Sequence, residues 1–498
     1  MTIVDELLEL CDQTIGALPQ GDARACVQAV RVNLERPLQV TVAGGVSSGT
    51  STLVNALLGQ KIAAVDAGEC TRVITRFTYD HHERAEVVLR DGAVRGLALQ
   101  NGSIPTELGV PPESVREVVV HLSNRGLEHL SIIDTPGLDT VTTENQERTE
   151  AFLGLGTDGV AARDTATAIG RADALVFLMP HLREADARIL GGFRDLYSGT
   201  GLSAFNAVAV LSKIDQLSRS GDPVAAAQPI AERIRVEARG LISAVWPVIG
   251  LLAETAACAS LGEQEARALR DLAACGDDLD REDLLMTPDA FIAHDGADIS
   301  RTTRQQLFEL LGLFGLGHVL AAIDDGTTGA VALGRLLATS SGFEPLRRQV
   351  IDQLGARATL LKCHTALCDL RRISYARNAD GDEQVALHRL RSPLDRIEFD
   401  PTLHDLRVAD ALQEATTGEF RLPDVLMADL ERLASNTDPM RRVGAADRTE
   451  VSAGALAAAS RWGSWSNDPR RRPADAQRAR AVKTAYEMIW QAEQAATR

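Results

Sequence analysis

Between residues 37 and 250 short apolar runs alternate with helical segments, and this alternation restricts the fold more than any other feature of the chain. The runs fall at 38–43, 73–79, 85–89, 118–122, 130–133, 174–179, 207–211 and 245–249. They are apolar throughout, as strands are when helices cover both faces of their sheet. Strands alternating with helices predict a mainly parallel, doubly wound α/β sheet. In such a sheet the polar turns after the strands converge on one edge, where ligands bind.

The rest of the chain reads as helix. Residues 3–34 carry two apolar stripes, Ile3, Leu7, Leu8, Cys11 and Ile15, then Val27, Val30 and Leu34. The apolar face of 475–497, with Val482, Tyr486, Ile489 and Trp490, is the expected cover for them, which would bring the two chain ends together. Residues 262–300 read as a helix and an acidic insertion closing the α/β unit. From about residue 326 no alternating run remains. A capping box with proline in the first turn, from Ser341 to Pro345, opens a helix predicted to reach about residue 373. Further helices are expected over 383–395, 403–416, 423–434 and 451–462, with loops at 378–382, 435–439 and 464–473. The predicted division is 1–35 as N-terminal helices, 36–325 as the α/β unit, and 326–498 as an all-α neck and trunk.

A net charge of −17 argues against nucleic acid as a partner and confines any membrane contact to local patches. Candidates are the loops around Asp380 and Asn436, with Met427 and Met440 nearby, and a cluster of Trp462, Trp465, Arg470, Arg471 and Arg472. The seven cysteines form no C-x-x-C pair, which suits reduced thiols in the cytoplasm, and Cys363 and Cys368 sit on different faces of a helix. An acidic first turn predicts no signal peptide. The longest apolar stretch, 307–323, is interrupted by Glu309 and His318 and reads as a buried helix. Only four of the 52 basic residues are lysines, Lys61, Lys213, Lys362 and Lys483, so each is informative.

Three motifs follow predicted strands in order. Gly44, Gly45, Val46, Ser47, Ser48, Gly49, Thr50, Ser51 and Thr52 have the spacing G-x-x-x-x-G-x-[ST] between a strand and a helix. Glycines there let backbone N–H groups wrap phosphates, and the helix N-terminus faces their charge. Asp134, Thr135, Pro136 and Gly137 follow the run 130–133. An aspartate at that point holds the water shell of Mg2+, and the glycine amide senses a γ-phosphate. Ser212, Lys213, Ile214 and Asp215 follow the run 207–211. A carboxylate there accepts both N1–H and the 2-amino group of guanine, which adenine cannot offer, while the lysine stem packs over the base. Thr71, with Thr75 as its rival, is the candidate switch threonine for Mg2+, and Gly250 ends the loop that would pack on the base. Together these predict a P-loop GTPase domain binding GTP with Mg2+, its metal held through Ser51, Thr71 and Asp134.

The segments 44–59, 70–75, 134–137 and 212–215 resemble those of bacterial dynamin-like GTPases. The likeness is strongest to the isoniazid-induced (Ini) group of mycobacteria and related actinobacteria, in its shorter, C-type branch, and segments 312–316 and 362–372 extend it over most of the chain. The resemblance implies a GTPase head on a helical neck and trunk and remodelling of the inner membrane from the cytoplasmic side. It also implies partners: inner-membrane lipid, and a second dynamin-like protein or self-association through the GTPase domain. Ser47, Thr71 and Gly137 become the candidate catalytic positions.

Two positions depart from the family pattern. Thr50 stands where the P-loop lysine belongs, and Val46 where many dynamins place a polar residue that positions the attacking water. Hydrogen bonds with a charged partner contribute roughly 1.5–3 kcal/mol each, so losing one or two predicts nucleotide affinity lower by about one to three orders of magnitude. The transition state, where charge develops, loses more. Two functions remain open at this point: a GTP-binding membrane protein with weak or absent hydrolysis, and an inactive scaffold that pairs with an active dynamin-like GTPase.

Overall fold

The computed structural model describes residues 2–45, 47–63, 73–100, 102–105, 107–136, 172–180, 206–217, 221–238, 241–274, 283–293, 299–375, 381–398, 403–417, 420–436 and 438–496. Two helices, α1 (Ile3–Ala17) and α2 (Asp22–Glu35), lead into β1 (Leu38–Gly44) and α3 (Thr50–Leu58). The strands continue with β2 (Thr75–Tyr79), β3 (Arg84–Leu89), β4 (Val94–Leu97), β5 (Val115–Leu122), β6 (Leu130–Asp134), β7 (Ala174–Met179), β8 (Ala207–Leu211) and β9 (Ala244–Pro247). They form one sheet in the order β4-β3-β5-β2-β6-β1-β7-β8-β9. From β6 through β9 every neighbour is parallel. The other half is mixed: β2 runs antiparallel to β6 but parallel to β5, and β3 is antiparallel to both β5 and β4. β4 was not expected from the sequence. It is a short, exposed edge strand without an apolar run, and it exists because β3 turns back at Gly92.

Both faces of the parallel half are buried, which explains its unbroken apolar runs. On β7, Leu175, Phe177 and Met179 face a core shared with Ala227, Ala231 and Ile234 of α4 (Pro223–Glu237). Ala174, Val176 and Leu178 face the opposite core, with Leu53, Val54 and Leu57 of α3. The chain then adds α5 (Gly250–Ala257), α6 (Glu263–Ala273), α7 (Pro288–Ala293), α8 (Arg301–Asp324) and α9 (Ala330–Ser340). α8 is long and apolar enough to cross a membrane by length and composition. Its Leu307, Leu311, Leu316, Val319 and Leu320 lie in the first core, which fits the buried helix expected over 307–323, and it kinks at Gly312, where φ is 62°.

The helix expected over 341–373 is broken into α10 (Phe343–Arg347), a π-helical stretch (Arg348–Leu354) and α11 (Gly355–Ser374). Phe343, Leu346, Val350, Leu354, Ala358 and Leu361 share the core of β1 and β6. The sheet's packed core therefore runs past residue 325, where the sequence suggested a boundary.

Beyond it come α12 (Gly381–Glu398), α13 (His404–Thr417), α14 (Asp424–Ser435), α15 (Pro439–Val443), α16 (Val451–Ser466) and α17 (Pro473–Ala496). Here the pairing of the chain ends is corrected. Leu7, Cys11, Val27 and Leu34 of α1 and α2 are covered by Cys363 and Leu370 of α11 and by Leu387 and Leu390 of α12. Lys362 on α11 donates to the carbonyls of Leu34 at 2.8 Å and Arg36 at 2.7 Å, clasping the end of α2. Val482, Tyr486 and Ile489 of α17 instead join Val408, Leu430 and Trp462 of α13, α14 and α16, and the Tyr486 hydroxyl donates to the Asp429 carbonyl at 2.8 Å. This second helical core takes in the tryptophans of the aromatic-basic cluster. Trp462 is 0% exposed and Trp465 only 9%, with the Arg471 guanidinium stacked on the Trp465 ring. Met427 and Met440 pack partly against the same core, and Asp380 lies outside the described residues.

Candidate functional site

β1 ends at Gly44, and the chain turns there into α3 through a tightly wound loop. A Cβ on Gly44 would stand 2.4 Å from Ser48 Oγ and 2.7 Å from the Leu178 carbonyl oxygen, so only glycine fits between β1 and β7. The Ser48 amide donates to the Gly45 carbonyl at 3.0 Å. Ser47 (φ 59°) and Gly49 (φ 94°) are left-handed. Backbone of this kind gathers N–H groups into an anion cradle, and α3 begins at Thr50 with its positive end at that cradle.

β6 lies beside β1 in a register that sets Asp134 level with Val42. The next residue is bolted across the strands, since both the amide and the hydroxyl of Thr135 donate to the Val42 carbonyl, at 3.3 and 3.0 Å. This brings the first two motifs together. Ser51 Oγ donates to Asp134 Oδ2 at 2.8 Å. Burial pushes the Asp134 carboxyl up to about 7, against the pull of the Ser51 hydroxyl and the Thr135 amide. Its other oxygen, Oδ1, is buried with no partner, as is Ser48 Oγ. Orphaned buried oxygens at a phosphate-type loop ask for a ligand. A serine hydroxyl and a carboxylate are hard oxygen donors of the type Mg2+ takes, so these residues fit that ion.

The third motif lies along the same edge, with only β7 between β1 and β8. The Ser212 amide donates to the Met179 carbonyl at 2.9 Å, fixing the exit from β8 against β7. Lys213 is left-handed (φ 57°), Ile214 is buried, and Asp215 sits in a single helical turn with its carboxyl raised by burial. The exit from β9 runs alongside: the Val248 amide donates to the Leu211 carbonyl at 3.0 Å and the Ile249 amide to the Ser341 carbonyl at 2.9 Å. Gly250 then opens α5, and a Cβ there would sit 3.7 Å from Thr52 Cγ2 on α3. Glycines 44, 45, 49 and 250, serines 47, 48 and 51, threonines 50 and 52, Asp134, Lys213 and Asp215 thus occupy the carboxyl ends of neighbouring parallel strands or the helices that follow them. Val46, Thr71 and Gly137 lie outside the described residues.

Sequence reasoning passed over one pair. Asn55 on α3 and Glu254 on α5 are both buried, and Asn55 Nδ2 donates to Glu254 Oε1 at 2.7 Å. An asparagine inside the run Leu53, Val54, Asn55, Ala56, Leu57, Leu58 was the available signal, because a polar residue in an apolar stretch needs a partner.

A family model described as the dynamin family matches residues 40–187. The isoniazid-induced protein IniC of Mycobacterium tuberculosis, in strains CDC 1551 / Oshkosh and ATCC 25618 / H37Rv, is 31% identical over 487 residues, covering 94% of this chain and 93% of the relative. Two solved chains, both described as belonging to an oligomerised bacterial dynamin pair for long-range sensing and tethering of membranes, align over 99% and 98% of this chain. The alignments cover 74% and 90% of those chains, at TM-scores of 0.30 and 0.34 and identities of 12% and 11%, superpositions too loose to inform how the helical regions are arranged.

Proposed function

The chain belongs to the dynamin family, sharing 31% identity with IniC across 94% of its length, and from that premise we propose that it is a GTP-binding protein of membrane remodelling whose hydrolysis is weak or absent. The observation that carries the second half is Thr50 at the head of α3 together with the disposition of all four lysines. Lys61 pairs with Glu254 at 3.6 Å and Lys483 with Glu487 at 3.0 Å. Lys362 is spent on the end of α2, and Lys213 follows β8. With three of the lysines engaged elsewhere and Lys213 at the exit from β8, no lysine stands in for the one missing at Thr50. Backbone N–H groups and a helix N-terminus therefore carry the loop's attraction for phosphate, and the lysine's charge is missing from the transition state unless an arginine supplies it.

In this reading residues 44–51 cradle the phosphates and Thr52 opens the helix behind them. Ser51, Thr71 and Asp134 would hold Mg2+, which when bound would neutralise phosphate charge. Asp215 accepts the two guanine donors, Lys213 covers the base, and Gly250 bounds its pocket. Ser47 and Gly137 flank the reacting phosphate, with Val46 offering no polar atom for a water. The protein works at the cytoplasmic face of the inner membrane, through lipid and through pairing of GTPase domains, by analogy with its family. A second reading, an inactive scaffold for an active dynamin-like partner, draws on the same Thr50.

Titration with fluorescent GTP and ATP on the wild type and Thr50→Lys separates them. Weak guanine-selective binding that Thr50→Lys strengthens supports the first reading. No binding by either protein, with co-purification of a second GTPase, supports the scaffold.

A further inference from the structure

α3 and α5 lie side by side and parallel. Thr52 meets Gly250, Asn55 meets Glu254, and Cys258 Sγ donates to the Asn55 carbonyl at 3.5 Å, so contacts advance in the same direction along both helices. One helix starts at the phosphate loop and the other at the loop beside Lys213 and Asp215. Their relative register therefore fixes the distance between the two halves of the nucleotide site.

That register is held by a saturated polar node in the core. Asn55 Oδ1 accepts from the amides of Ile62 at 3.0 Å and Ala63 at 2.8 Å. Asn55 Nδ2 donates to the Ala63 carbonyl at 3.2 Å and to Glu254 Oε1 at 2.7 Å. Glu254 Oε2 faces Lys61 Nζ at 3.6 Å. Asn55 is 1% exposed and Glu254 4%. For stability alone an apolar pair of the same volume would serve at least as well, since burying a carboxylate costs desolvation. Directional bonds do what apolar contact cannot: they forbid sliding.

We infer that Asn55 and Glu254 are positioning residues that set the spacing between phosphate loop and base loop, and through it the preference for guanine over adenine. The inference rests on the guanine-nucleotide reading above. Hydrogen bonds weaken steeply with misalignment, so a slip of α5 against α3 carries the base off the Asp215 carboxylate. Adenine makes no such bonds, and its affinity is borne by the phosphates and stays put. A merely structural role would lower both affinities together.

The test uses full-length protein, Mg2+, and fluorescent GDP and ADP analogues, with thermal unfolding measured alongside. Glu254→Met removes the acceptor while keeping length and packing. The expected result is a folded protein whose unfolding temperature falls by roughly a few degrees, because one buried Asn55 N–H loses its acceptor, with a guanine-to-adenine affinity ratio lower by about tenfold, the worth of one ordinary hydrogen bond. Asn55→Asp, which sets two carboxylates face to face, should lower the ratio at least as far. Adding Glu254→Gln to Asn55→Asp should restore part of it, because the new amide donates to the new carboxylate while the Ala63 carbonyl still lacks its donor. A folded Glu254→Met protein with an unchanged ratio overturns the inference, as does a parallel fall in both affinities or a double variant no better than Asn55→Asp. Should Asn55→Asp not fold, Glu254→Met alone decides. If neither the wild type nor Thr50→Lys binds any guanine nucleotide, the parent reading fails and this one with it. Guanine binding that stays unaltered in Glu254→Met sinks only this one.

Discussion

The two halves of the site differ in how they are built. On the proposed phosphate side the described backbone has the form of an anion cradle, from the glycine wedged between β1 and β7 to the left-handed turns and the Ser51–Asp134 bond, yet Thr50 stands where the lysine belongs. On the proposed base side both Lys213 and Asp215 are in place, held by a left-handed turn and a buried Ile214. A loop whose geometry is intact without its charge separates two jobs that one lysine normally combines. Backbone donors bind the ground state, whereas the lysine matters most where charge grows. The contrast predicts a protein that recognises its nucleotide better than it transforms it.

The largest effect should come from damaging the intact half. Asp215→Ala removes two hydrogen bonds to a charged acceptor, and GTP affinity should fall by roughly two to four orders of magnitude while ATP binding hardly changes. A fluorescence titration with both nucleotides reads this directly, and an equal loss for GTP and ATP would break the assignment of Asp215 to the base. Repairing the damaged half comes next. Thr50→Lys should raise GTP affinity by about one to three orders of magnitude, through one or two charge-assisted bonds. A steady-state phosphate-release assay should show a larger gain than binding does.

How much of this was legible in the sequence follows from what each signal depends on. The runs at 174–179 and 207–211 became β7 and β8 residue for residue, because two covered faces leave no room for polar positions. The meeting of Ser51 with Asp134 was legible too, since both follow strands that a doubly wound sheet sets side by side. β4 was invisible, being an exposed edge whose strand character comes from its neighbour β3. The helical half misled most. The stripes of α1, α2 and α17 each announce that a partner exists but not which one, and Lys362 at the end of α2 marks the choice by a contact 328 residues away in sequence from Leu34. For the same reason the tryptophans at 462 and 465 could be named as candidates for a membrane contact, although their helix packs them into the second core.

Gly44 tests whether the phosphate loop's shape, separate from its charge, still matters. An alanine there would push its Cβ against Ser48 Oγ and the Leu178 carbonyl oxygen, the second of which is backbone and cannot swing away. Gly44→Ala should destabilise the fold by about 1–3 kcal/mol, the usual cost of overpacking, and weaken nucleotide binding by about tenfold. Thermal unfolding reads the first and titration the second. Unchanged stability would mean that the loop relaxes freely and that the wedge between β1 and β7 is not tight.

The smallest effect is a pH dependence confined to the metal side. Burial holds the Asp134 carboxyl near 7, so in the free protein much of it is protonated at neutral pH. Mg2+ demands the carboxylate, and the bound ion would therefore have to displace a proton. Below pH 7 each unit should weaken Mg2+-dependent nucleotide binding by up to about tenfold, and above pH 8 the dependence should flatten. Binding measured in EDTA should show no such slope, because without the ion nothing requires Asp134 to ionise. Asp134→Asn should abolish the slope along with the metal dependence, whereas Asp215→Asn should leave it in place at lower affinity. A slope that survives Asp134→Asn would move the titrating group elsewhere and take the metal away from the Ser51–Asp134 pair.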